Sequence, residues 1–146
     1  MATRARIDAP RRPVRWTAPF FALAACSWIP HASCHYYRLE TGSSFRVGSW
    51  QFSAAESLVV LLIYALLSSL NLAAIVRAGV RRPSAALTGA LHLLIGSLHL
   101  YRLFAPFDFE VFGYVWPRGA SAREAAVAVC FGLLCLAVAR KVRTAS

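Results

Sequence analysis

Charge is scarce in this chain and acid is scarcer: Lys, Arg, Asp and Glu make up 15% of 146 residues, and only six residues are acidic. With 58% hydrophobic residues, that scarcity excludes a disordered or fibrous protein. The four cysteines form no Cys-x-x-Cys pair, which argues against a disulfide framework. The chain has no nucleotide-binding glycine loop, no Ser/His/Asp constellation and no metalloprotease helix, so no catalytic motif marks it as an enzyme. Acidic residues are missing from the centres of the long apolar runs, which lowers the case for a small exporter.

Those apolar runs, and a mean hydropathy of +0.54, point to a bilayer as the solvent. A helix needs roughly 20 apolar residues to cross a ~30 Å hydrocarbon core. Four stretches qualify: 20–39, 54–76, 85–104 and 122–139. Pro19 and Pro83 stand before the first and third, and Ser53-x-x-Glu56 and Ser121-x-x-Glu124 read as capping boxes opening the second and fourth. Arg77-Ala78-Gly79 suits a basic last turn with a glycine cap, and Pro106 stops the third helix.

The net charge of +10 has a location. Arg4, Arg6, Arg11, Arg12, Arg15, Arg77, Arg81, Arg82, Arg140, Lys141 and Arg143 fall on one side of a four-span topology; together with Asp8 they account for all of it. On the other side Arg38, Arg46, Arg102, Arg118 and Arg123 are matched by Glu40, Glu56, Asp108, Glu110 and Glu124. The positive-inside rule then predicts a multi-pass cell-membrane protein with cytoplasmic N and C termini, and the excess implies no nucleic-acid partner. Segment 1–15 is expected to be a basic cytoplasmic tail, and 16–146 a single membrane domain. A rival reading takes Arg11–Arg15 and Leu23-Ala24-Ala25-Cys26 as a lipoprotein signal.

An internal repeat weighs against that rival. At an offset of 64, Ser33-Cys-His35-Tyr-Tyr37-Arg38-Leu39 aligns with Ser97-Leu-His99-Leu-Tyr101-Arg102-Leu103, identical at five of seven positions. Pro19, Phe45 and Val47 align likewise with Pro83, Phe109 and Val111, and a short insertion then aligns Trp50 with Trp116 and the two capping boxes. The expected fold is an all-α four-transmembrane-helix bundle of two parallel helix–loop–helix repeats, about 19–77 and 83–140. The loops 40–52 and 105–120 are rich in aromatics and are expected to lie at the interface.

All four histidines, His31, His35, His92 and His99, fall in the first and third spans. Gly89, His92, Gly96, His99 and Leu103 form one stripe, while Trp28, His31 and His35 share a side. Under the repeat, His35 and His99 are equivalents, the arrangement that a haem b, a quinone or a shared transition metal needs, with Arg38 and Arg102 nearby for propionates or a carbonyl. A metal site would take His31, Cys34, His35 and His99. The plainer account gives the histidines ordinary hydrogen bonds within the bundle. Ser57, Tyr64, Ser68 and Asn71 on the second helix, and Ala125, Ala128, Gly132, Cys135 and Ala139 on the fourth, make faces suited to close packing. The expected function is a structural or accessory subunit of a larger membrane complex, contacting the lipid bilayer and other membrane subunits through helix faces and aromatic loops. The alternative is a redox or ligand-binding module at His35 and His99.

Overall fold

The computed structural model describes residues 16–142; the basic residues of the tail and Arg143 lie outside them. Five helices and one small sheet follow in the order α1 (Thr17–Cys26), α2 (Ile29–Thr41), β1 (Phe45–Val47), β2 (Trp50–Gln51), α3 (Ala54–Val76), α4 (Ala78–Phe104), β3 (Phe109–Val111), β4 (Tyr114–Val115) and α5 (Arg118–Lys141). Three of them, α3, α4 and α5, are long and apolar enough to cross a membrane.

The first predicted span is not one helix. It breaks between α1 and α2 because Pro30, at the second position of α2, has no N–H to offer and its ring crowds the carbonyl one turn back. Backbone at Ser27 and Trp28 stays right-handed helical, so α1 and α2 form a kinked rod and the bundle keeps four rods. The loosened carbonyls find other donors: Ser27 Oγ donates to Ala24 O at 2.8 Å, and Ser68 Oγ on α3 donates to Ala25 O at 3.2 Å.

Three boundary expectations also change. Helix α4 starts at Ala78 rather than after Pro83, which lies inside it, and Gly79 is a helical residue, not a cap. Arg77 alone turns the chain from α3 to α4 in extended backbone. The α3 end is met by Arg81, whose Nε donates to Ala74 O at 2.9 Å and Nη2 to Ile75 O at 3.2 Å. The Ser53–Glu56 capping box is present, with Ser53 N donating to Glu56 Oε2 at 2.7 Å. Its supposed counterpart is not: α5 opens at Arg118 after Pro117, so Ser121 lies within the helix. Helix α4 ends at Phe104, in keeping with Pro106.

The aromatic loops fold into a four-stranded antiparallel sheet ordered β2-β1-β3-β4. In its central pair Phe45 faces Val111, Arg46 faces Glu110 and Val47 faces Phe109. Adding 64 to each β1 position maps this pairing onto itself. The flanking bonds obey the same rule: Gly48 N donates to Asp108 O and Phe112 N to Ser44 O, while Phe52 N donates to Phe45 O and Trp116 N to Phe109 O. The spacing therefore stays at 64 through both loops, with Phe52 rather than Trp50 corresponding to Trp116, and no insertion. The second hairpin turns through Phe112 and Gly113, at φ 57 and 77, left-handed backbone that a two-residue hairpin uses and that suits glycine better than phenylalanine. Phe112 is held there against Tyr37, ring centroids 4.7 Å apart.

At the end opposite the sheet, Phe21 of α1, Ala74 of α3, Ala85 of α4 and Val138 and Ala139 of α5 form a buried apolar cluster. Above it Asn71 is wholly buried, donating to Leu67 O and Thr88 Oγ1 at 2.8 Å while Ser84 Oγ donates to its Oδ1 at 2.9 Å, so its polar atoms are satisfied. The predicted small-residue face of α5 is buried, as are Gly89, His92 and Gly96 of α4; His99 and Leu103 are half-buried.

The α4–α5 contact depends on missing side chains. A β-carbon at Gly89 would meet Gly132 O at 2.9 Å, and one at Gly132 would meet Leu93 Cγ at 2.9 Å. Gly89→Ala must push apart two backbones and is expected to lose about 1–3 kcal/mol by overpacking. Gly119→Ala, in open space, is expected to be neutral or stabilising by less than about 1 kcal/mol. Denaturant titration in detergent compares the two.

Candidate functional site

The sheet roofs a cavity of about 350 Å³ bounded by α2, α3, α4 and α5. Period-two alternation puts Phe45, Val47, Phe109 and Val111 on its face, leaving Arg46 and Glu110 on the other. There Arg46 Nη2 lies 3.1 Å from Glu110 Oε2, and Ser44 Oγ donates to Glu110 Oε1. The helices contribute His31, Cys34 and His35 from α2, Tyr64 from α3, His99 from α4 and Glu124 from α5. Three of the four singled-out histidines thus meet at one place. His92 does not: its Nδ1–H donates to Thr88 O at 2.9 Å, and its ring packs against Trp28 and Phe131 at 4.2 and 4.9 Å.

His35 is 4% exposed, its ring 4.9 Å from Phe45, and its Nδ1 is buried without a hydrogen-bond partner. His99 packs on Phe109 at 5.7 Å, the same contact 64 residues on. Phe45 and Phe109 meet edge to face at 5.7 Å, so a chain of ring contacts joins the two imidazoles. His31 Nδ1–H donates to Ser27 O at 3.3 Å, the carbonyl at the kink. Tyr64 lies amid Trp28 at 5.4 Å, His31 at 5.4 Å and His35 at 6.0 Å.

Arg38 and Arg102 lie beside the cavity but not in its wall. Each is buried and faces the chain's own acceptors. Arg38 Nη1 donates to Ser57 Oγ at 2.9 Å and Ser53 O at 3.1 Å, and its Nη2 to Phe52 O. Arg102 Nη1 donates to Ser121 Oγ at 2.7 Å, its Nε to Phe107 O at 2.9 Å and its Nη2 to Trp116 O. Ser57 and Ser121, Phe52 and Trp116 again differ by 64. The guanidinium groups therefore pin each hairpin to the helix that follows it.

Among the described residues no three His, Cys, Asp or Glu side chains come together as a metal-binding group, so His31, Cys34, His35 and His99 share a cavity without sharing one ion-sized centre. The cysteines are free thiols. Phe52, Trp116 and Glu124, which line the cavity, were not singled out from the sequence as site residues; a hairpin signal, apolar–polar–apolar before a glycine at 45–48 and 109–113, was there to find the roof. The chain matches no protein-family model, no curated protein and no solved structure.

Replacing Arg102 with Met leaves two carbonyls and a buried hydroxyl without their donor, and the expected loss is about 2–5 kcal/mol. Trypsin cleavage after Arg46, on the strand paired with β3, should accelerate in the variant. Arg102→Lys should recover only part of the loss, because an ammonium cannot span three separated acceptors.

Proposed function

We propose that the chain is a multi-pass membrane protein that holds one small lipophilic molecule in the cavity beneath its sheet. The cavity carries this reading. Its volume of about 350 Å³ lies at the lower end of the ~300–1,000 Å³ typical of small-molecule sites, which are mostly apolar with a few polar groups to orient the ligand. His31, His35, His99 and Glu124 supply such groups among aromatic walls. The volume favours a single substituted ring over haem b, and no three-ligand cluster among the described residues supports a shared transition metal.

Membrane residence is supported by α3, α4 and α5, and by what covers them: only 17% of the most apolar stretch of α3 is buried within the chain, and Leu58, Leu62 and Leu66 are among its exposed residues. The kinked α1–α2 rod supplies the fourth span. Arg77, Arg81, Arg82, Arg140 and Lys141 gather at the end away from the sheet, which favours that end, and both termini, in the cytoplasm of a cell-membrane protein, with the sheet outside. The recurrence of contacts at 64 residues supports two parallel repeats, about 19–77 and 83–140, about an axis between Arg46 and Glu110. A second reading, an accessory subunit of a larger assembly, is favoured by the open edges of the sheet, where Trp50 and Tyr114 are exposed.

With 1-aminonaphthalene as a probe in nanodiscs, the chain is expected to show saturable binding at one site, abolished by Leu98→Trp, which places an indole in the cavity. A signal no different from empty nanodiscs overturns the reading. Reporter fusions after residues 45, 80 and 110 are expected to read outside, inside and outside; a cytoplasmic signal at 45 would reverse the orientation.

A further inference from the structure

We infer that the end of the bundle away from the sheet binds the phosphate groups of anionic phospholipids, whose acyl chains lie along the helix faces next to it; this rests on the membrane reading above. The buried apolar cluster fixes where this end is. Ala74 and Ala85 meet Val138 and Ala139 in it, and Val80 and Val142 pack against it, so the α3–α4 turn and the last turn of α5 surround one patch. Five cations stand there: Arg77, Arg81, Arg82, Arg140 and Lys141. Every acidic side chain among the described residues, Glu40, Glu56, Asp108, Glu110 and Glu124, belongs to the opposite end.

The two ends use their arginines differently. Near the sheet, Arg38, Arg46 and Arg102 are bound to oxygens of the chain itself. At this end only Arg81 turns inward, to the carbonyls that close α3. Arg77, Arg82, Arg140 and Lys141 are exposed, and among the described residues none of their side chains has a hydrogen bond or an ion pair. What adjoins them is aliphatic. Leu72 and Val76 precede Arg77 on α3, and Leu133 and Ala137 precede Arg140 on α5 at four- and three-residue steps, all of them exposed. Trp16, also exposed, packs on Phe20 at 6.2 Å beside the same cluster, an indole at the level that suits headgroups. Cations above aliphatic flanks match a molecule with an anionic head and a hydrocarbon tail. Phosphatidylglycerol leaves its phosphate charge uncompensated, whereas the trimethylammonium of phosphatidylcholine would bring like charge to these side chains.

The test reconstitutes the full chain in vesicles of equal parts phosphatidylglycerol and phosphatidylcholine and reads, by electron spin resonance, the motionally restricted fraction of a trace spin-labelled lipid of each headgroup. In about 0.1 M salt the native chain should favour phosphatidylglycerol about three- to tenfold. Raising the salt to about 1 M, which shortens the screening length from ~10 Å to ~3 Å, should remove most of that preference. Arg77→Gln, Arg82→Gln, Arg140→Gln and Lys141→Gln combined should lower it at least about twofold, while Arg123→Gln, exposed at the sheet end, should leave it unchanged. Equal restriction of the two lipids by the native chain overturns the inference and leaves membrane residence standing, even if the combined variant fails to fold. A combined variant that keeps the native preference overturns it too. Restriction of neither lipid overturns the membrane reading as well.

Discussion

Two buried guanidinium groups hold this structure together at one end. Arg38 and Arg102 sit in the last turns of α2 and α4, where the helix C-terminal dipole favours a cation, and neither has a carboxylate partner among the hydrogen bonds that hold it. They are stabilised by carbonyl and hydroxyl oxygens that only a folded hairpin presents. A buried cation without those oxygens would be costly, so helix ends and hairpins must form together. The arginines tie the carbonyls that flank the sheet to the ends of α2 and α4, and so hold the roof of the cavity in place.

The two ends consequently pack by opposite rules. Away from the sheet, alanines and glycines bring backbones into direct contact, and the few polar atoms of Asn71, Thr88 and Ser84 satisfy one another. Under the sheet, large rings meet at edges and leave space between them. Small side chains close the first end, and aromatic side chains leave the second hollow. His31, His35 and His99 line the space at the end where close packing stops.

Much of the helical frame was legible in the sequence because each long helix must display an uninterrupted apolar run, and because the Ser53–Glu56 box and Pro106 act locally. What misled was chemistry whose meaning depends on distant partners. Pro83 looks like a helix start but fits inside α4, whereas Pro30 interrupts the helix between α1 and α2. Ser121 has the spacing of a cap yet serves as an acceptor for Arg102 nineteen positions earlier. The meeting of His31, His35 and His99 was half visible: helical spacing aligns the first two, and the 64-residue match brings the third to equal depth. That Arg38 and Arg102 would turn to backbone carbonyls, and that the two hairpins would pair into one sheet, depends on tertiary contacts that no window of sequence contains.

The central strand pair has an evolutionary implication. On the duplication reading, a single ancestral hairpin would have met a copy of itself across a dyad, with one residue type facing its own twin at the position now held by Arg46 and Glu110. Two identical charges cannot favourably face each other there. Once both copies share a chain, the two positions can diverge, and opposite charges now occupy them 3.1 Å apart. On that reading the fused chain has what a homodimer cannot, an ion pair between two equivalent positions, and its cavity wall differs in the same way, with His31 and Cys34 standing 64 residues before Ile95 and Leu98.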